Sequence, residues 1–362
     1  MVIEPHFSDF GRRDWERTPV DGTVRFAILG LGAFVRDRAL PAIDETDSCS
    51  VGVLVSGSPD EGRELAEEYE ASAVIDYDAF LAGEHADAYD AVYIGLPNAL
   101  HDEYAIASAD REKHVLCEKP LSVTAERARK MRDACADAGV TLMTAYRLQL
   151  EPTVRRTREL VQADVIGDVH QIHGSFTNPL FSYTTPDSWR LDPELSGGGA
   201  LMDLGVYPLN TARFILDADP TEVVAMTNSS GPPYDEVDEH VAFQLRFPSG
   251  ATASCSASFD AHPHSQLQLV GTDGFITIDG PFGGVVPHNI VVESGEIRVE
   301  HTGQPIDEVR EEFAYFAYCV LTGTRPEPDG DDGVADLDVI EAAYRSADEG
   351  HCVELSIDTG DP

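Results

Sequence analysis

The feature that most constrains the fold is a series of short apolar runs separated by amphipathic stretches. The runs are VRFAIL at 24–29, VGVLV at 51–55, AVYIGL at 91–96, HVLC at 114–117 and VTLM at 140–143. The stretches between them, such as 59–69 and 124–139, have helical periodicity, and the second has a Thr N-cap and a closing Gly139. This alternation predicts βαβ units and a doubly wound parallel sheet, an α/β Rossmann domain over 24–145.

The second half of the chain has a different pattern. Its apolar segments are longer and alternate with polar residues, at 168–176, 240–247, 251–259 and 265–271. Such alternation, with a tight turn FPSGA at 247–251, is typical of an open antiparallel sheet. Helices that cover one face or return to the first domain are expected near 200–216, 307–321 and 333–348. We predict an α+β domain over 146–362 with an open, mostly antiparallel sheet. Residues 1–23, before the first strand, fit neither pattern and are expected to form an N-terminal arm, with a disordered tail as the alternative.

Charge composition limits the partners and the compartment. The sequence has 25 Lys plus Arg against 65 Asp plus Glu, a formal net charge of −40. This charge repels phosphate backbones and anionic lipid, so we expect neither nucleic acid nor a membrane surface as a partner. Lysine occurs only at Lys113, Lys119 and Lys130. An acidic, lysine-poor surface stays hydrated where molar salt screens its charges, which favours a halophilic protein over an acidic protein of an ordinary cell.

The sequence gives no sign of a membrane span, an export signal or a metal site. No apolar run approaches the about 20 residues that cross a bilayer. The first residues, MVIEPHFSDFGRRDW, have no apolar signal core. The 6 cysteines are scattered without a C-x-x-C pair, which favours free thiols in a reducing compartment over a zinc site. We expect a cytoplasmic protein without a bound metal.

A glycine pair follows the first predicted strand. Gly30 permits a tight turn, and Gly32 lets the backbone approach a pyrophosphate. The helix that opens at Ala33 and Phe34 would stabilise that group through its free N–H groups. Val35 stands where the dinucleotide fingerprint has a third small residue, and it is expected to loosen the helix against its strand. The position of the pair in a βαβ series predicts a dinucleotide cofactor.

The end of the second predicted strand indicates which dinucleotide binds. A carboxylate there would accept from the ribose 2′-OH and repel a 2′-phosphate, but Ser56 and Ser58 occupy the tip. Their hydroxyls, the local N–H groups and Arg63 in the next helix can hold a 2′-phosphate, which favours NADP. The alternative is a simple turn in which Asp60 repels the phosphate.

Further polar segments stand where predicted parallel strands end, which is where open α/β sheets bind ligands. They are Leu96-Pro97-Asn98 with His101, Glu118-Lys119-Pro120 and Tyr146-Arg147. Lys119 stands out because lysine is nearly absent from the chain, and an ammonium can neutralise a developing alkoxide. The structural alternatives are a turn at Pro97, a strand terminator at Lys119-Pro120 and a helix N-terminus at His101.

In the second domain a glycine-rich segment, 197–199, leads into a predicted helix. Asp203 and Tyr207 are four residues apart and therefore lie on one helical face. An Asp/Tyr pair facing a cleft, with glycines that allow close approach, predicts a catalytic pair, and a packed aromatic is the alternative. Trp189-Arg190, just upstream, is a candidate clamp for the cofactor or the substrate.

Together these segments resemble the glucose–fructose oxidoreductase, inositol dehydrogenase and rhizopine-catabolism family of NAD(P)-dependent oxidoreductases. The resemblance covers nearly the whole chain from Val24 onward, and Glu118-Lys119-Pro120 is its most specific motif in position. Ser56-Gly57, Tyr146-Arg147 and the stretch 197–207 look most like the glucose–fructose oxidoreductase and aldose dehydrogenase branch, whose cofactor is NADP.

The resemblance implies hydride transfer from a sugar carbon to a nicotinamide. Tyr207 would take the hydroxyl proton, Lys119 would polarise the same oxygen and lower the pKa of that tyrosine, and Asp203 would orient the sugar or the tyrosine. The residues implied to line the cofactor are Tyr77, Leu96, Pro97, Asn98, His101, Glu118, Lys119, Arg147, Trp189 and Arg190.

We therefore expect an enzyme that uses NADP to oxidise the anomeric hydroxyl of a neutral aldose to the lactone, with D-xylose as the first candidate substrate. The alternatives are an inositol or polyol dehydrogenase, an oxidoreductase that retains NADP and cycles two sugars, and, outside enzymes, a dinucleotide-binding sensor. Because the family's open sheet commonly pairs face to face, a homo-dimer or homo-tetramer is expected, with residues 1–23 as an arm.

Overall fold

The computed structural model describes residues 3–357, which form two compact units with one sheet each. The parallel-sheet unit consists of Asp14–Arg147 and Val309–Val334. The mixed-sheet unit consists of Leu148–Glu308 and the described parts of 1–13 and 335–359.

The sheet of the first unit is parallel throughout. Its strands are β1 Val24–Leu29, β2 Cys49–Val55, β3 Ala73–Ile75, β4 Ala91–Ile94, β5 His114–Cys117 and β6 Leu142–Thr144. The spatial order β3-β2-β1-β4-β5-β6 reverses direction between β1 and β4. The predicted doubly wound sheet is confirmed, and its ligand-binding crevice is expected beyond the carboxyl ends of β1 and β4.

The helices of this unit begin with local signals that the sequence shows. They are α1 Leu40–Asp44, α2 Arg63–Glu68, α3 Tyr77–Leu81, α4 His101–Ala109 and α5 Ala125–Asp137. The Thr124 side chain accepts the N–H of Arg127 at the start of α5, and Gly139 beyond its end has φ +66°. Asp76 caps α3 in the same way. The predicted helix over 124–139 is therefore confirmed, with its ends at the predicted cap and glycine.

The mixed-sheet unit contains a larger sheet. Its strands are β7 Val169–Thr177, β8 Glu222–Asn228, β9 His240–Arg246, β10 Thr252–Ser258, β11 His264–Gly271, β12 Gly274–Asp279, β13 Asn289–Ser294, β14 Ile297–Thr302 and β15 Val353–Glu354. The order is β14-β13-β12-β11-β7-β10-β9-β8-β15, and β7 and β10 are parallel while the other neighbours are antiparallel. The prediction of an open, mostly antiparallel sheet is confirmed, and the FPSGA turn closes the β9/β10 hairpin.

The remaining helices are α6 Pro152–Gln162, α7 Pro193–Ser196, α8 Val206–Leu216, α9 Glu308–Thr322 and α10 Gly330–Glu349. From Val309 onward α9 belongs to the parallel-sheet unit, where Phe313 lies 5.4 Å from the Phe26 ring of β1. In the mixed-sheet unit, α8 packs on β7, because Gly174 leaves room for Pro208.

The faces of the larger sheet differ in burial. On β9, Val241, Phe243 and Leu245 are buried and the residues between them are exposed. On β8 the outward residues include Val224 at 39% exposure and Met226 at 73%. This alternation gives the sheet one core face and one open face that carries apolar side chains.

The described N-terminal residues pack on their own chain. Ile3 is fully buried, His6 Nδ1 lies 2.8 Å from Glu159 Oε1, and the Phe10 ring lies 4.3 Å from that of His301. Residues 1–2 of the expected arm lie outside the described residues.

The limits of the expected domains, 1–23, 24–145 and 146–362, stay predictions, and residues 358–362 also lie outside the described part of the chain. Across residues 3–357, no helix combines the length and the apolarity needed to cross a bilayer. The same residues hold no group of His, Cys, Asp and Glu side chains arranged to bind a metal ion.

Candidate functional site

The two glycines after β1 have different surroundings. Gly30 has φ +89°, and a Cβ atom there would lie 2.6 Å from the carbonyl oxygen of Gly95. A Cβ at Gly32 would meet nothing within 4 Å. Ala33 and Phe34 begin the helix and are exposed, Phe34 at 40%. Gly30 is therefore required by the turn itself, while the backbone at Gly32 is open to a bound group.

The structure corrects the expectation for Val35. The side chain is only 2% exposed, in a π-helical stretch Val35–Ala39 that continues into α1. A Cβ at Gly95, just after β4, would lie 2.7 Å from Val35 Cγ2. The helix has Val35 where the fingerprint has a small residue, and Gly95 at the end of the neighbouring strand makes room for it. Val35 therefore packs closely and does not loosen the helix.

The tip of β2 presents hydroxyls and no carboxylate. Ser56 Oγ accepts the N–H of Ser58 at 3.2 Å, and both residues are accessible. Arg63 forms an ion pair with Asp60, with both side chains mostly exposed. One sequence interpretation had Arg63 attracting a 2′-phosphate, and the other had Asp60 repelling it. The two charges pair with each other, so Ser56 and Ser58 stay the chief candidates for a 2′-phosphate contact. Tyr77 lies beside this turn, since a Cβ at Gly57 would be 3.5 Å from its ring.

The segment after β4 is stabilised by buried residues of its own. Leu96 and Asn98 are buried, and His101 is fully buried. The His101 ring nitrogens lie 2.9 Å from the Leu96 carbonyl oxygen and 3.2 Å from that of Leu121, and burial lowers the pKa of this histidine. The structure thus gives His101 a role in shaping the loop, while Pro97 is the half-buried residue of this turn.

Three charged residues come together beyond the ends of β5 and β6. Glu118 continues the ladder by donating its N–H to Ile94 at 3.1 Å. Burial raises the pKa of its carboxyl, and the charges of Lys119 and Arg147 oppose that shift. Glu118 Oε1 also accepts the hydroxyl of Tyr93 at 2.7 Å. Sequence reasoning missed Tyr93, although its place in a fully buried strand was a signal that its hydroxyl needs a partner.

In the mixed-sheet unit, Asp203 is the centre of a polar cluster. Its Oδ2 atom accepts Arg190 Nε at 3.1 Å and the Tyr183 hydroxyl at 3.2 Å. The Arg190 guanidinium stacks on Trp189 at 4.5 Å from the ring centroid. Burial, and then the Asp203 charge, hold the pKa of Tyr183 above its usual range. Arg190 therefore holds the Asp203 carboxylate, and the role of Trp189-Arg190 as a clamp for the cofactor or the substrate stays a prediction. Sequence reasoning missed Tyr183.

Asp203 and Tyr207 share a face of the helical segment that was predicted near 200–216, although its first turn is π-helical. Leu201–Gly205 is π-helical and continues as α8 from Val206. Asp203 and Tyr207 are half-buried, while Leu204, Gly205 and Val206 between them are buried. The Tyr207 ring meets the Phe176 ring edge-on at 5.3 Å.

Two glycines of the segment 197–199 pack against other parts of the chain. A Cβ at Gly199 would lie 2.0 Å from the Asp238 carbonyl oxygen, and one at Gly198 would lie 2.1 Å from the Tyr344 hydroxyl. The Asp238 carboxylate accepts the N–H groups of Gly199 and Leu201 and the hydroxyl of Tyr344. The expectation that these glycines open the site to close approach is corrected: what approaches them is Asp238 and Tyr344.

The sites thus fall into two groups. Lys119 and the glycine turn belong to the parallel-sheet unit, and Asp203 and Tyr207 belong to the mixed-sheet unit. Convergence of Lys119 and Tyr207 on one oxygen stays a prediction.

Comparisons with known proteins identify the class. Residues 24–146 match the model of an oxidoreductase family with an NAD-binding Rossmann fold, and residues 154–277 match the GFO/IDH/MocA C-terminal domain. The chain belongs to the GFO/IDH/MocA family of oxidoreductases, as the sequence motifs predicted.

Individual relatives extend over nearly the whole chain. D-xylose 1-dehydrogenase [NADP(+)] of Haloarcula marismortui is 42% identical, over 98% of this chain and 100% of the relative. D-xylose 1-dehydrogenase (NADP(+)) 2 of Haloferax volcanii is 34% identical, over 91% of this chain and 99% of the relative. Among solved structures, aldose-aldose oxidoreductase from Caulobacter crescentus complexed with glycerol has a TM-score of 0.87 at 33% identity and covers 92% of this chain and 100% of its own.

Proposed function

We propose that this protein is an NADP-dependent aldose dehydrogenase that oxidises the anomeric hydroxyl of D-xylose to the lactone. The observation that carries the proposal is the 42% identity, over 98% of the chain, with the D-xylose 1-dehydrogenase of Haloarcula marismortui. The second relative named for the same reaction supports it. A neutral sugar also suits a protein of net charge −40, because such a substrate is not repelled.

The parallel-sheet unit fits NADP. The open backbone at Gly32 lies where the strand order reverses beside β1, which is the place for a pyrophosphate. Ser56 and Ser58 offer donors to a 2′-phosphate, and no carboxylate stands at the β2 tip to repel it. When bound, NADP accepts a hydride from the sugar carbon. The side chains of this unit proposed to surround NADP are Tyr77, Leu96, Pro97, Asn98, Glu118 and Arg147. His101 would contribute by holding the loop after β4 in shape.

The chain's own residues manage the proton. In this proposal Lys119 polarises the reacting sugar oxygen, and Tyr207 takes the hydroxyl proton. Asp203 orients the sugar with its carboxylate, which Arg190 and Tyr183 hold in place. Trp189 contributes by stacking on Arg190.

The proposal extends to the assembly and the compartment. The open face of the larger sheet exposes Val224 and Met226, and pairing two such faces would bury them in a homo-dimer or homo-tetramer. The acidic, lysine-poor composition supports work in a salt-loaded cytoplasm.

The test is a substrate panel in molar KCl, in which absorbance of the reduced nicotinamide is followed with NADP and NAD in parallel. D-xylose with NADP is expected to give the highest kcat/KM among aldoses and polyols. A preference for inositol or another polyol would contradict the proposal. NADP that stays bound through extensive dialysis, with one sugar reduced as another is oxidised, would replace it with a two-sugar oxidoreductase.

Two variants test the assigned roles. Lys119→Ala and Tyr207→Phe are each expected to lower kcat by about 100-fold or more, the usual contribution of a positioned acid–base group. NADP affinity, measured by calorimetry, is expected to change little in Tyr207→Phe. Unchanged turnover in both variants would remove these residues from the mechanism.

A further inference from the structure

Tyr93 is a fully buried tyrosine near the end of β4. Its register partner in β5 is Leu116, and its ring lies 5.1 Å from that of Phe313. Partners in parallel strands point to the same face, and residues two apart along a strand share a face, so Tyr93 and Glu118 lie on the same side of the sheet. The Tyr93 hydroxyl donates to Glu118 Oε1 at 2.7 Å.

The Glu118 carboxylate is held at both oxygens. Oε1 accepts from Tyr93, and Oε2 accepts the backbone N–H of Lys119 at 3.3 Å. Burial raises the pKa of Glu118, whereas the Lys119 charge, the Tyr93 hydrogen bond and the Arg147 charge lower it. Burial favours the protonated form of the Glu118 carboxyl, and the Tyr93 hydroxyl favours the charged form.

Tyr93 is a permanent donor in this arrangement. Burial, followed by the charges of Glu118 and Glu312 and the Cys117 thiol, holds the pKa of Tyr93 well above its usual range. Its proton therefore stays on the hydroxyl around neutral pH, and Glu118 is the acceptor.

We propose that Tyr93 is a positioning residue: its hydroxyl keeps the Glu118 carboxylate charged and oriented beside Lys119, so that Lys119 stays an ammonium while it polarises the sugar oxygen. This inference rests on the proposed function for the role of Lys119. A carboxylate stabilises a neighbouring ammonium by Coulomb attraction, which is strong where both groups are partly removed from water. Without the hydroxyl, Glu118 takes up a proton at higher pH, and its carboxylate loses the contact that fixes Oε1.

The first experiment compares Tyr93→Phe with Tyr89→Phe. Tyr89 is also fully buried, just before β4, and its hydroxyl has no hydrogen-bond partner among the described residues. In Tyr93→Phe the alkaline limb of the pH profile of kcat/KM for D-xylose is expected to move to lower pH by about one unit, because Lys119 then loses its proton more readily. NADP affinity is expected to stay within about twofold of wild type. Tyr89→Phe is expected to keep the wild-type profile, and identical profiles in the two variants would overturn the proposal.

The second experiment does not depend on turnover. Trace acetylation across a pH series, with peptides quantified by mass spectrometry, follows Lys119 and uses exposed Lys130 as an internal reference. The midpoint of Lys119 labelling is expected to move to lower pH in Tyr93→Phe and in Glu118→Gln, and to stay in place in Tyr89→Phe. Adding Tyr93→Phe to Glu118→Gln is expected to cause no further shift, because the hydroxyl acts through the carboxylate.

The outcomes separate the two proposals. If no aldose is oxidised, the proposed function fails, and the labelling midpoint still decides the role of Tyr93. If D-xylose is oxidised but the Lys119 midpoint is the same in wild type, Tyr93→Phe and Glu118→Gln, the positioning role is overturned. A Tyr93→Phe protein that does not fold leaves Glu118→Gln to decide, because an unchanged midpoint in that variant contradicts the proposal equally.

Discussion

Two glycine-rich segments look alike in the sequence and differ in the structure. At Gly32 an added Cβ would meet nothing within 4 Å, whereas at Gly199 it would lie 2.0 Å from the Asp238 carbonyl oxygen. The first segment leaves backbone open to a ligand, and the second admits another part of the same chain. Gly32 and Gly199 thus have different surroundings, and of these two glycines it is Gly199 that another part of the chain approaches closely.

The largest expected effect is at Gly199. Gly199→Ala places a methyl group against backbone that cannot move aside, so we expect a loss of at least about 3 kcal/mol in the free energy of unfolding. Urea unfolding in high salt measures it. Gly283→Ala is the matched control, because its Cβ would have an ordinary contact at 3.7 Å in the same unit. Equal unfolding midpoints for the two variants would contradict the close packing at Gly199.

A second effect comes from the carboxylate that fills this segment. Burial raises the pKa of Asp238, while the Tyr344 hydrogen bond and the N–H groups of Leu201 and Gly199 lower it. The folded-state pKa of Asp238 is therefore above its unfolded-state value. The stability that the protonated carboxyl contributes is fully present below the unfolded-state pKa and is lost as the pH rises through the folded-state pKa.

Tyr344→Phe removes a donor to the ionised form of Asp238 and raises the folded-state pKa further. We expect a destabilisation of about 2 kcal/mol where Asp238 is ionised, and a smaller one as the pH falls and the carboxyl takes up its proton. Urea unfolding across a pH series checks this. A loss that is independent of pH, or larger in acid, would show that the hydroxyl does not act on the charged carboxyl.

At the open segment the effect moves from stability to binding. Gly32→Ala is expected to leave the unfolding midpoint nearly unchanged and to weaken NADP binding by about tenfold, because the methyl group keeps the pyrophosphate from the backbone. Calorimetric titration with NADP measures the change. Unaltered affinity would place the phosphates elsewhere and remove the contrast between the two segments.

The smallest effect is expected at the exposed Arg63. Arg63→Ala breaks an exposed ion pair with Asp60, so stability is expected to change by less than about 0.5 kcal/mol. NADP affinity is expected to fall about twofold to threefold, because Asp60 then faces the 2′-phosphate without its partner. The affinity for NAD serves as the control, because NAD lacks the 2′-phosphate. An equal change for both cofactors would separate Arg63 from the choice of cofactor.

The same contrast explains what the sequence could predict. β4 is apolar throughout and β1 is apolar apart from Arg25, because the sheet is covered on both faces, and their positions follow from the pattern alone. β3 was missed because it is a three-residue edge strand, Ala73–Ile75, with too few residues to show a period. The motifs beyond the strand ends were predictable because the carboxyl edge of a parallel sheet is a fixed place for ligands.

Contacts between distant segments could not be predicted in this way. Asp238 meets Gly199 from 39 residues away, and Tyr93 meets Glu118 from 25 residues away. No local pattern records such pairings, since they depend on strand register and on how loops fold back. The π-helical stretch Leu201–Gly205 is likewise invisible to a pattern that assumes α-helical spacing.

The central claim is that the protein removes a hydride from the anomeric carbon of an aldose. The most direct measurement uses D-xylose deuterated at its anomeric carbon, with the reduced cofactor isolated and weighed by mass spectrometry. The account predicts that the deuterium appears in NADPH and that the rate falls relative to unlabelled sugar. Reduced cofactor without deuterium, with the label retained in the sugar product, would contradict it.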